Sequence, residues 1–159
     1  MILFLDFDGT THPEPSLSKE AFCQLPLVES VLREFPAVEI VISSAWRVGW
    51  KDERTAVVQL RKHFSDDLRA RVVGVTPEHQ NLDPEAAPEG LVAYRREWEC
   101  VTWLRTHRDP WTRWLALDDR HWWFRPFCPN LMVVDGYEGF VETDTAEFRR
   151  RLSALGERT

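Results

Sequence analysis

Five short apolar runs punctuate the chain, and each stops at a polar residue: ILFL before Asp6, EIVI before Ser43, RVVGV before Thr76, WLAL before Asp118 and LMVV before Asp135. Apolar runs without alternation are expected of strands covered on both faces, as in a parallel sheet between helix layers. Segments of helical period lie between them. Leu27 to Phe35 places Leu27, Val28, Val31, Leu32 and Phe35 on one stripe, and Pro26 suits a first helical position. Asp52 is placed to cap a helix reaching about Phe64, with Val57, Leu60 and Phe64 inward. Arg96 to His107 groups Cys100, Val101 and Leu104 and stops before Pro110. A last helix starts at Asp144, which has capping-box spacing to Glu147, and runs to Gly156. The stretch from Pro77 to Tyr94, with Pro84 and Pro88, reads as a long loop. Strands alternating with helices predict an α/β protein: a three-layer α/β/α sandwich around a mainly parallel, five-stranded sheet.

A chain of 159 residues with 43% apolar content suits one domain, residues 1–159, with a real core. The formal net charge of −6 argues against a broad basic surface for nucleic acid, although a local positive patch is compatible with it. Cys23, Cys100 and Cys128 show no C-x-x-C spacing, so neither a disulfide framework nor a zinc site is indicated. The opening apolar run is too short for a signal peptide or a membrane span, and a cytoplasmic protein without membrane contact is the expectation.

In an open parallel sheet the ligand crevice lies beyond the carboxyl ends of the strands, where strand order reverses. Asp6, Ser43, Asp118 and Asp119 would collect there if their strands are neighbours. The plainer alternative is that strands end in polar residues because they reach the surface. Asp6 and Asp8 sharpen the question, because two carboxylates at i and i+2 of an extended segment face one side and repel. A divalent cation offsets that repulsion. An oxygen-only ligand set of Asp6, Asp8 and Asp118 or Asp119 selects a hard ion, with Mg²⁺ leading. Gly9 permits a sharp turn and close approach of phosphate oxygens to the backbone. One carboxylate can then attack phosphorus, and the other can protonate the leaving oxygen and activate water.

DFDGT, Asp6 to Thr10, directly after an N-terminal apolar strand, resembles the first motif of the haloacid dehalogenase (HAD) superfamily. The resemblance implies a Rossmann-like sheet, Asp6 as nucleophile, and Asp8 as general acid and base that also gives a backbone oxygen to Mg²⁺. IVIS, ending at Ser43, is similar to the second motif, whose hydroxyl holds a phosphate oxygen. The third motif falls at Arg96, with Arg95 a close rival, and is Arg here rather than the commoner Lys. LALDD, ending at Asp118 and Asp119, resembles the acidic fourth motif. Asp8 marks a phosphatase, since the dehalogenases of the superfamily lack it. The combination of DFDGTTH, SSAWR from Ser43 to Arg47, a helix carrying Trp103 and Leu104, and LALDD is similar to the HAD domain in Swiss Army Knife RNA repair proteins. That family name implies phosphate removal at RNA ends.

Positions 9 to 42 already hold a helix and the second strand, so no large cap domain fits between Asp8 and Ser43. An uncapped site admits a phosphate attached to something large, such as an RNA or DNA end, and the loop from Pro77 to Tyr94 can serve as a partial lid. The residues set against the substrate are Gly9, Thr10, His12, Ser44 and Arg47. Arg47 has two readings, a bidentate phosphate clamp or a surface salt bridge. His12 either lines the site or is a solvent-exposed turn residue. Trp46, Trp50, Trp122 and Trp123 either stack on bases or, more commonly for such residues, close the core. Arg149 to Arg151 read as a solvated helix face. No obligate protein partner is expected. The competing function is a non-catalytic phosphate-binding or signalling module of the same fold.

Overall fold

The computed structural model describes residues 1–157. Five strands, β1 (Ile2–Leu5), β2 (Glu39–Ile42), β3 (Val72–Val75), β4 (Trp114–Asp118) and β5 (Leu131–Val133), form one parallel sheet in the order β3-β2-β1-β4-β5. The helices are α1 (Leu25–Arg33), α2 (Glu53–Leu60), α3 (Asp66–Arg69), α4 (Arg95–His107) and α5 (Asp144–Glu157). Every side chain of β1 is buried because the two faces of the strand feed two cores. Leu3 and Leu5 pack with Val31 and Leu32 of α1, Leu60 of α2 and Phe148 of α5, whereas Ile2 and Phe4 pack with Cys100 and Trp103 of α4. This double burial is why the run carries no polar alternation.

The topology positions the site. The chain builds outward from β1 through β2 to β3, then crosses by way of α4 to lay β4 against the other side of β1. Strand order therefore reverses between β1 and β4, and the crevice of a doubly wound sheet opens beyond their carboxyl ends. Leu5 pairs with Leu117 in register, so Asp6 and Asp118 emerge side by side.

Element ends depart from expectation where tertiary contacts decide them. Helix α1 starts at Leu25, which the core buries, so Pro26 is its second residue. Asp52 does cap α2, its carboxylate accepting from the Thr55 amide at 2.7 Å, but the helix tightens into a 3₁₀ turn over Arg61–His63 before Phe64. The four-residue α3 had no periodic signal. Helix α4 turns Trp98, Cys100 and Trp103 inward, leaving Val101 and Leu104 half-buried. The Trp103 indole lies over Gly74 of β3, where a Cβ would stand 2.8 Å from it. No capping box forms on α5. Asp144 accepts from the Val141 amide, and Glu147 pairs instead with Arg150 and Arg151. The face from Arg149 to Arg151 is only partly solvated, since Arg151 also donates to the Leu131 carbonyl at 2.6 Å. Between Pro77 and Tyr94 the chain makes two short 3₁₀ turns, His79–Asn81 and Pro84–Ala86. Among the described residues no helix is long and apolar enough to cross a membrane.

Candidate active site

Three carboxylates converge at the switch point. Asp6, Asp118 and Asp119 each offer an oxygen within 4.8 Å of the others'. The Asp6 amide donates to the Leu117 carbonyl at 3.1 Å, continuing the β1–β4 ladder by one residue and fixing Asp6 beside Asp118. Ser43 is held in the same way on the other flank, its amide donating to the Leu5 carbonyl at 3.0 Å. Each strand thus delivers one polar side chain as its apolar run stops.

Arg96 supplies the cation. It projects from the first turn of α4 into the buried space between the strand ends, with Nε 3.3 Å from Asp118 Oδ2, Nη2 3.8 Å from Asp6 Oδ1 and Nη1 3.6 Å from Glu99 Oε2. Arg95, one residue earlier, is rotated away and lies flat on the Trp123 indole, its guanidinium carbon 3.4 Å from the ring centroid. Of the two arginines proposed for the third motif, Arg96 is therefore the one at the carboxylates.

Two arginines face the cluster, Arg96 and Arg120, whose Nε stands 3.7 Å from Asp119 Oδ1, and they do not balance its three carboxylates. Burial, then Asp118, push the Asp6 carboxyl well above its ordinary range against the pull of Arg96. Burial likewise raises Asp118, with Arg96 opposing, and Asp119 is pushed up to about 6 by burial and by Asp118. Burial pulls the Arg96 guanidinium down, but Asp118, Asp6 and Glu99 outweigh it and hold it above its ordinary value. Asp118 Oδ1 accepts from the Arg120 amide at 2.8 Å, whereas Asp118 Oδ2 and Asp119 Oδ1 are buried without a hydrogen-bond partner among the described residues. Three clustered carboxylates, two of whose buried oxygens make no hydrogen bond and meet only the longer ion-pair contacts of Arg96 and Arg120, with no nitrogen or sulfur ligand among them, fit a hard divalent cation.

Glycine shapes the cradle. Gly9 has φ of +71°, and a Cβ there would stand 2.5 Å from Asp119 Oδ2. Gly136, after β5, makes the same approach to the same oxygen from the other side. The close approach that Gly9 permits in the structure is that of the Asp119 carboxylate. Thr10, next in the chain, is fully buried with an unpartnered hydroxyl, and its carbonyl accepts from the Phe140 amide.

Asp8 does not join the three carboxylates. The i, i+2 argument requires extended backbone, and β1 ends at Leu5 before the chain turns at Gly9. Asp8 Oδ1 instead accepts from Trp46 Nε1 at 2.8 Å and pairs with His12 Nε2 at 3.1 Å. His12 is buried, contrary to the exposed-turn reading. The Phe22 amide donates to its Nδ1 at 3.3 Å, which assigns the proton to Nε2 and makes His12 a donor to Asp8. Phe22 takes φ of +63° in aiming that amide, a conformation few bulky residues adopt.

Both readings of Arg47 are overturned. It is buried, and its five N–H groups are all engaged: Nε on the Thr76 carbonyl, Nη1 on the Ser43 and Ser44 carbonyls, Nη2 on the Pro77 carbonyl and on Glu99 at 2.8 Å. No donor remains for a phosphate. Ser44 faces its own turn, its hydroxyl accepting from the Trp46 amide at 3.4 Å. The core-closing reading of the tryptophans fails for Trp46, Trp50 and Trp122, which are 37%, 42% and 55% exposed, and holds for Trp123, which packs on the α4-side core. Two residues of the site carried no sequence assignment. Glu99 was detectable as the i+3 neighbour of Arg96 on a helix; Gly136 had no signal beyond following a strand.

Sheet order, the acidic cluster at the β1–β4 crevice and the DFDGT turn define a domain of the HAD superfamily. The chain belongs to the family described as HAD domain in Swiss Army Knife RNA repair proteins, which it matches over residues 2–145, a span that includes every residue of the candidate site. No curated protein and no solved structure matches it significantly.

Proposed function

We propose that the chain is a Mg²⁺-dependent phosphohydrolase that cleaves phosphomonoesters through an aspartyl phosphate on Asp6, at an open site suited to a macromolecular substrate such as an RNA or DNA end. The observation that carries this reading is the convergence of Asp6, Asp118 and Asp119, with buried oxygens that make no hydrogen bond, beside Arg96. These three side chains would hold the Mg²⁺, which when bound neutralises charge on the phosphoryl group and on the carboxylates.

Arg96, fixed by Asp118 and Glu99, offers its Nη donors to phosphoryl oxygens, and Ser43 adds a hydroxyl from the end of β2. An Asp6 oxygen attacks phosphorus, the ester P–O bond breaks, and the leaving oxygen takes the proton that Asp8 carries. Asp8 then accepts a proton from water as that water attacks the aspartyl phosphate, releasing phosphate and restoring the Asp6 carboxylate. Glu99 acts through Arg96, as a positioning residue.

Phosphate release is measured with and without Mg²⁺ on phosphorylated oligonucleotides, phosphopeptides, nucleotides, sugar phosphates and p-nitrophenyl phosphate. Turnover requires the metal, and Asp6→Asn loses about a thousand-fold or more. Full activity in Asp6→Asn would refute the covalent route, and metal-dependent phosphate binding without release from any ester would favour the non-catalytic module.

A further inference from the structure

Once Arg96 is assigned to the carboxylates, Arg95 is left over. Two clefts flank the candidate site, and they differ in charge. The one beside Asp119 is lined by Glu14 and Asp135 as well as Arg120. The other, a cavity of about 200 Å³, lies between the turn after β2, the 3₁₀ turn at His79 and the start of α4, with Arg95, Arg96 and Trp123 in its wall. Two carboxylates line it with three arginines: Glu99, buried and paired with Arg47 and Arg96, and the half-buried Glu78. Arg96 is itself buried, reaches the cavity, and keeps Nη1 without a hydrogen-bond partner among the described residues. Arg95 is half-buried, and among the described residues no carboxylate lies within 4 Å of it; the Trp123 indole fixes its plane.

The guanidinium carbons of Arg95, Arg120 and Arg96 lie over that one indole, 3.4, 4.7 and 5.2 Å from its centroid, and Arg120 is already paired with Glu14 and Asp119. Two cationic heads so close, one engaged with Asp6 and one unpaired at the rim, match two successive phosphates on one strand. A monoester on a small sugar or alcohol has nothing for the second. In a molecule of net charge −6, an unpaired arginine held flat beside the site is a specific attraction and not part of a general basic surface.

Resting on the phosphohydrolase reading above, we propose that Arg95, stacked on Trp123, binds the phosphodiester adjacent to the scissile terminal phosphate, so that the cavity selects nucleic acid ends over isolated monoesters. The contact is charge-assisted and independent of base identity. Arg95 is thus a specificity-determining residue, and it takes no part in bond breaking.

Binding of a fluorescent, terminally phosphorylated oligonucleotide is measured by anisotropy on Asp6→Asn, which separates recognition from turnover. A second oligonucleotide carries one uncharged methylphosphonate at the linkage next to the terminal phosphate. The methylphosphonate weakens binding to Asp6→Asn about ten-fold. Asp6→Asn/Arg95→Gln binds the natural oligonucleotide equally weakly and does not distinguish the two, whereas Asp6→Asn/Arg95→Lys, which keeps the cation, distinguishes them again. Equal sensitivity to the methylphosphonate with and without Arg95 would overturn the proposal, as would a natural-oligonucleotide affinity unaltered by Arg95→Gln. Hydrolysis of p-nitrophenyl phosphate by the wild-type chain reports separately on the phosphohydrolase reading. An inactive enzyme whose oligonucleotide binding still depends on Arg95 would retain the subsite and discard the chemistry.

Discussion

At the scale of single residues, the least anticipated arrangement is the one around Asp8. Trp46 and His12 both donate to the same oxygen, Oδ1, which orients the carboxylate and leaves Oδ2 free to exchange a proton. Orientation matters most when the leaving oxygen needs that proton. Trp46→Phe keeps an aromatic ring and removes one donor, so kcat/KM for alkyl phosphates falls about ten-fold, a fraction of what general acid catalysis supplies. The p-nitrophenyl ester, whose leaving group departs as the anion, changes little, and steady-state kinetics on the two esters checks the contrast. Asp119 yields a second prediction. Its ordinary pKa of 3.8 rises to about 6 in the folded chain through burial and Asp118. The folded state therefore holds a proton that the unfolded state releases, so this group's contribution to stability is complete below about 4 and is lost as pH rises to about 6. Mg²⁺ competes with that proton, so the increase in melting temperature on adding Mg²⁺ is larger at pH 7.5 than at pH 5. Thermal scans at the two pH values, with and without the ion, measure it. The positions of Asp6, Ser43 and Asp118 were legible because each ends a buried strand. The choice between Arg95 and Arg96 was not, since one residue is about 100° of helix rotation and only packing on the Trp123 ring reveals the phase.

At the scale of elements, α4 and the turns after β2 and β3 form one unit locked by Arg47 and Glu99. Arg47 ties the Ser43 and Ser44 carbonyls to those of Thr76 and Pro77, and Glu99 links that bracket to Arg96. Arg47→Met leaves a buried Glu99 short of a partner and several carbonyls without donors. It destabilises the fold by about 3–5 kcal/mol, read as a lower urea midpoint at unchanged slope. A phosphate clamp would behave otherwise, raising KM and leaving the midpoint in place. The central strands could be read from the sequence because burial on both faces removes alternation, and the edge strands β3 and β5 keep apolar residues even where Val73 and Val133 are exposed. Helix ends could not, because partners far along the chain set them: core burial of Leu25 moves the start of α1, and pairing of Glu147 with Arg150 and Arg151 replaces a cap. Arg47 was misread for the same reason. Three of its five acceptors, the Thr76 and Pro77 carbonyls and Glu99, are groups that only the fold brings to it.

For the whole molecule, charge and cover act together on substrate choice. A net charge of −6 repels a polyanion at long range, and the cleft beside Asp119 adds local acidity. At the cavity Arg47 is consumed by its own contacts and Arg120 by Glu14 and Asp119, so Arg96 and Arg95 are left to attract, which limits the favourable contacts there to about two phosphates. Counterion release then predicts a shallow salt dependence: log Kd against log salt has a slope of magnitude about 1.4 for single-stranded ends, and Arg95→Gln halves it. Length is constrained by the same reasoning. Affinity rises from a phosphorylated mononucleoside to a phosphorylated dinucleotide and then levels off, because Arg95 and Arg96 are both already engaged. Titrations of 3′- and 5′-phosphorylated oligonucleotides of increasing length, at several salt concentrations, measure both quantities. A steep salt slope that keeps growing with length would mean that a basic surface outside the cavity carries the binding.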